Sequence, residues 1–248
     1  MTNIGNNLER DWAQLGVLYN CEPSRATPDL ERLLLETARQ CSGNERLLPL
    51  ITTWVVAYGL FIARHRLKRI VVEELEQDSQ PVLGLLIETA VELGATRDLL
   101  IVPQVCRPLP YPRPLYNNQQ EHPLLEGVAR RNASALSQRW GVWTPKVTLK
   151  ADAIRPVRWL LRENPVLRER IIRKGDLRAS ILETLRLDIP SATAASESAI
   201  ARLSGATRTA VRKALAALKL EGAVTVRKSP DNDRDHPVTL DETLREAS

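Results

Sequence analysis

A run of 17 uncharged residues, LLPLITTWVVAYGLFIA from Leu47 to Ala63, limits what this 248-residue chain can fold into more than any other segment. So much apolar surface cannot face water, so the run either crosses a membrane or is covered by other helices. A spanning helix needs about 20 predominantly apolar residues. This run is shorter, is diluted by Pro49, Thr52, Thr53, Tyr58 and Gly59, and has no second span beside it. The expectation is therefore a central helix buried on most sides, with no membrane partner. The basic RHRLKR that follows, Arg64 to Arg69, reads as the solvated end of that helix rather than as a nucleic-acid patch.

The neighbouring sequence offers helices to cover it. TPDLERLLLETARQCSGN predicts a helix capped by Thr27, with Pro28 in its first turn and a stop at Ser42 and Gly43. HRLKRIVVEELEQ continues or restarts the central helix, with Leu67, Ile70, Val71 and Leu75 at helical spacing. QPVLGLLIETAVELGA predicts another helix, ending at Gly94, and Leu124 to Trp140 reads as a single amphipathic helix. Between them lie six prolines from Val102 to Pro123, which exclude helix interiors and mark a long loop. DAIRPVRWLLRENPVLRERIIRK supplies one or two more helices, with a break at Asn164 and Pro165. Aromatic residues make up only 4%, which suits packed helices better than a β-sandwich.

After Gly175 the pattern changes. DLRASILETLRL from Asp176 places Ile181, Leu182 and Leu185 on one face, and SESAIARLSGA predicts a short helix capped by Ser196 with Ala199, Ile200 and Leu203 inward. Ser204, Gly205 and Ala206 form a tight turn in which glycine takes the left-handed conformation. Thr207 then caps a helix over 207–220, with Val211, Ala214, Leu215 and Leu218 at core spacing. Arg208, Thr209, Arg212 and Lys213 are left on its outer, amino-terminal side. AVTVRK and HPVTL are strand-like and are joined by the turn-rich SPDNDRD, which predicts a β-hairpin.

At these residues the sequence resembles winged helix-turn-helix transcriptional regulators. GATRTAVRKALAALKLEGAVTV looks like the turn, recognition helix and first wing strand of GntR-type and MarR-type repressors, and RKSPDNDRDHPVTL is similar to the MarR-type wing. The resemblance implies that Thr207, Arg208, Thr209, Arg212 and Lys213 contact DNA in the major groove, with Arg227, Lys228 and Arg234 contacting it from the wing. Two departures stand out. Asp231, Asp233 and Asp235 surround Arg234 and would repel phosphates unless they orient it, and only DETLREAS follows the wing where MarR-type proteins place dimerisation helices.

The fold class expected is thus mainly α: an amino-terminal helical bundle or short helical array over 1–170, then a winged helix over 171–248 with one β-hairpin. The function expected is sequence-specific binding of double-stranded DNA as a transcription regulator, in a homodimer held by the amino-terminal domain, which could also take a protein partner. The formal charge of +5 and pI near 9.3 agree with a polyanionic partner. The alternative is an interaction protein, a complex subunit or antitoxin-like adaptor, whose winged helix docks protein. Because Arg208 and Arg212 lie off the core stripe, replacing both with Ala is expected to leave the fold intact while binding falls on the order of a hundredfold.

Catalysis is not expected. His65, His122 and His236 sit in unrelated contexts, so no metal is predicted, and no phosphate loop, dinucleotide fingerprint or nucleophile elbow occurs, so no cofactor is either. Cys106 is expected to pack as a small apolar residue. Three dispersed cysteines and the polar start MTNIGNNLERDW point to a reducing cytoplasm rather than secretion.

Overall fold

A computed structural model describes residues 4–173, 175–190, 193–227 and 237–241. It is mainly helical and divides into two compact units, Met1–Pro165 and Val166–Ser248.

The first unit contains α1 (Ile4–Gln14), α2 (Leu30–Gln40), α3 (Leu47–Tyr58), α4 (Arg64–Glu74), α5 (Gln80–Glu92), the one-turn α6 (Asn117–Gln120), α7 (Pro123–Asn132), α8 (Ala135–Trp140) and α9 (Val157–Glu163). A two-residue parallel pair joins β1 (Arg113–Pro114) to β2 (Val142–Trp143). The uncharged run forms α3 and is buried as its composition requires: Leu47, Leu48, Ile51, Trp54 and Val55 are all enclosed. α3 packs on α5, which also meets α2 and α8. The polar edges of the core tryptophans are satisfied internally, Trp12 Nε1 donating to Thr37 Oγ1 at 2.8 Å and Trp54 Nε1 to the Leu15 carbonyl at 2.8 Å. Among the described residues no helix is long and apolar enough to cross a membrane.

Several expectations in this unit need correction. The cap of α2 is Asp29, not Thr27: its carboxylate accepts from the Arg32 amide and also pairs through both oxygens with the Arg66 guanidinium, a charged two-oxygen contact that a threonine hydroxyl cannot make. Leu124 to Trp140 is two helices, because Ser134 accepts from the Ser137 amide and caps a new one. RHRLKR is not a solvated end. Arg66 is buried between Asp29 and Glu31 at 2.6–2.8 Å, Arg64 pairs with Asp98 at 2.8 Å and Arg69 with Glu73 at 2.7 Å, so its arginines brace the helices.

The second unit runs from α10 (Pro165–Ile172) through α11 (Leu177–Leu187), β3 (Ala195–Ser196), α12 (Glu197–Ser204), α13 (Arg208–Leu220), β4 (Val224–Val226) and β5 (Pro237–Leu240). Asp176, Ser196 and Thr207 cap α11, α12 and α13 through their side chains. The three helices pack pairwise. They enclose one core of Ile181, Leu185, Ile200, Val211, Leu215 and Leu218, closed by Val224 and Val238 from the strands. β4 and β5 are antiparallel, with Val224 opposite Leu240 and Val226 opposite Val238. β3 adds to the other edge of β5, giving the order β3-β5-β4. This third strand has no sequence signature, since two residues cannot show a period-two pattern.

Candidate nucleic-acid interface

The surface of interest is built from the way α13 enters its core. Val211, Ala214, Leu215 and Leu218 are its buried residues, so the helix is fixed in rotation by one apolar stripe. Thr207, Thr209, Arg212 and Lys213 are therefore exposed, and Arg208 is half-buried. Ahead of the helix, Gly205 takes φ +70° and ends α12, which lets the chain reverse within three residues. Thr207 Oγ1 accepts from the Ala210 amide at 3.3 Å. Its oxygen thus serves as the cap, while its exposed O–H is still able to donate.

The hairpin adds Arg227. Its side chain is exposed, and its backbone N–H donates to the Pro237 carbonyl at 2.9 Å, extending the β4–β5 ladder by one bond. Lys228 and Arg234, the other two wing residues expected to touch DNA, lie outside the described residues, as do Asp231, Asp233, Asp235 and His236. The far end of α13 is tied down as well: Glu221 accepts from Arg178 at 2.7 Å, and Arg178 also holds the Asp176 carboxyl below its ordinary range.

One residue that the sequence did not single out pairs with the arginines of this face. Glu197, the first residue of α12, is only 2% exposed. Its Oε2 accepts from Arg212 Nε at 3.1 Å and Nη2 at 2.9 Å, and Arg208 Nε lies 3.7 Å from the same oxygen. A glutamate opening a helix ordinarily reads as a partner for the helix dipole. Its spacing of 11 and 15 residues from the two arginines belongs to no local motif, which is why only the folded chain reveals the contact. The finding corrects one expectation. Replacing Arg208 and Arg212 together is expected to lower stability, because it removes the cations that face a buried carboxylate, although the exposure of both arginines keeps the cost below that of a fully buried pair.

Other candidate chemistry fares differently. Cys41 and Cys106 are buried, and burial pushes both thiols up to about 12, so neither is a thiolate at neutral pH. Among the described residues no group of three or more His, Cys, Asp or Glu could hold a metal ion. Comparison of the chain with protein-family models, with curated proteins and with solved structures finds no match.

Proposed function

We propose that this chain binds double-stranded DNA sequence-specifically, as a transcription regulator of the winged-helix kind, with α13 in the major groove and the β4–β5 hairpin as its wing. The observation that carries this reading is the placement of Thr209, Arg212 and Lys213 on the exposed amino-terminal side of α13, opposite the stripe that anchors it. Helix amino termini favour phosphate through free amides and the dipole, and arginine can bond both acceptors of a guanine edge. Arg227 gives the hairpin a cation where a wing meets the backbone of DNA. The reading is of a binding protein rather than an enzyme.

The test uses residues that leave the Glu197 pairs alone. The full chain is titrated against random and then selected duplexes by fluorescence anisotropy, at two salt concentrations. Thr209→Ala with Lys213→Ala should leave the melting curve unchanged, lower affinity by about tenfold and reduce the salt slope by about one. A second reading, a winged helix that docks protein, is favoured by the engagement of Arg208 and Arg212 within the chain. It prevails if the intact protein shows no salt-dependent binding to any duplex while a partner is retained through the exposed face of α13.

A further inference from the structure

We infer that Glu197 sets the DNA specificity of this chain, holding Arg212 in place and cancelling one positive charge on the amino-terminal face of α13. The inference rests on the DNA-binding reading and adds to it a positioning residue that lies on the preceding helix. On α12, Glu197 shares a face with the buried Ile200 and Ala201, three and four residues on, so its position is one an apolar side chain would ordinarily fill. A carboxylate there carries a desolvation cost that only close pairing offsets. The pairing found is with Arg212 at 2.9 and 3.1 Å and, more loosely, with Arg208 at 3.7 Å. These two arginines are neighbours on one helix face, so a single carboxylate on the adjacent helix reaches both. No contact needed for the core alone would single out an arginine on the exposed face of α13.

Two physical consequences point the same way. Sequence-independent binding grows with the number of phosphates that protein cations neutralise, whereas reading a base depends on where a guanidinium is held. With Glu197 present, the charge that Arg208, Arg212 and Lys213 bring to the face is reduced by one, so indiscriminate attraction weakens. Arg212 is meanwhile restrained before DNA arrives, so less side-chain freedom is lost when it meets a base edge. An unrestrained arginine would instead settle on the nearest phosphate. Glu197 therefore lowers affinity for random DNA and preserves affinity for the right sequence.

The experiment compares the wild-type full chain with Glu197→Gln, which keeps the shape and removes the charge, and Glu197→Asp, which keeps the charge and shortens the reach. Each is titrated against a random duplex and a duplex selected by the wild type, over a salt series, after thermal melting shows that it is folded. Glu197→Gln should bind the random duplex about fivefold more tightly at low salt, with a salt slope steeper by about one, and the selected duplex no more tightly than wild type. Glu197→Asp should leave the random duplex unchanged and weaken the selected one several-fold. An unchanged ratio of selected to random affinity in both variants overturns the inference while leaving DNA binding standing. A ratio that falls in Glu197→Gln alone overturns the positioning role. If the wild type binds no duplex at any salt, the DNA-binding reading and this inference fall together.

Discussion

Gly84 and Arg66 show how single residues hold the first unit together, and each yields a measurable expectation. Gly84 lies within α5 where the ring of Trp140 crosses it, and a Cβ there would sit 2.4 Å from Cη2 and 2.6 Å from Cζ2 of that ring. Trp140 cannot easily retreat, since its Nε1 donates to Glu88 at 2.7 Å. Gly84→Ala, helpful in an open helix, should here destabilise by about 1–3 kcal/mol in urea titration, because overpacking outweighs helix propensity. Arg66 is the reverse case, a charge whose removal leaves charges behind. It holds Asp29 by two bonds and Glu31, fully buried, by a third, while Glu31 also accepts from the Ala63 amide at 2.8 Å. Arg66→Ala should cost about 3–5 kcal/mol. Burial alone would raise the Asp29 carboxyl, but its bonds from Arg66 and Arg32 hold it below its ordinary value of 3.8. A depressed folded-state value means stability that is full above the unfolded value and lost as pH falls from about 4 through the folded one. Asp29→Asn should therefore be less stable than the wild type at pH 7, by chemical denaturation, and its stability should fall less steeply below pH 4. Equal acid limbs in the two proteins would show that Asp29 carries no such linkage.

At the scale of elements, the turn between α12 and α13 depends on Gly205. Nothing lies within 4 Å of a Cβ added there, so Gly205→Ala meets no clash and only the left-handed backbone, φ +70°, resists it. The expected loss is about 1–2 kcal/mol, read as a lower melting temperature of the Val166–Ser248 unit. An unchanged melt would mean that the turn relaxes into another conformation at no cost. This turn was legible in the sequence for the same reason it is needed: glycine after a short amphipathic helix, followed by a capping threonine and an apolar stripe at helical spacing. Val211, Ala214, Leu215 and Leu218 could be assigned to the core of α13 because burial and periodicity agree there. Where two local signals compete, the sequence does not decide. Thr27 and Asp29 are both good caps, and Asp29 prevails through Arg66, 37 residues away. Ser134 sits inside an uninterrupted amphipathic pattern, yet the Ser137 hydroxyl donates to the Thr144 carbonyl at 2.8 Å and favours a fresh helix there. Glu197 is the furthest from legible, because its meaning lies wholly in which arginines the packing of α12 on α13 brings to it.

For the whole molecule, the two units carry separate cores, one around Trp12, Trp54 and Leu83, the other around Ile181, Ile200 and Val211. In the DNA-binding reading this division has a purpose. One recognition helix spans only a few base pairs, and specific sites are commonly two half-sites separated by one turn of the double helix, about 34–36 Å. Reading both requires two copies of the second unit at a fixed separation, and a closed symmetric dimer supplies that with a single kind of interface. The first unit, which has its own core, is the part proposed to join the copies. The expected result is that the full chain sediments as a dimer at micromolar concentration. It should bind a duplex carrying two inverted half-sites with a stoichiometry of two chains. Inserting about five base pairs between the half-sites turns them to opposite faces of the helix, and should weaken binding far more than inserting a full turn of about ten. Sedimentation as a monomer, with one chain per duplex and indifference to half-site spacing, would refute the dimer and leave each copy of the second unit to read its site alone.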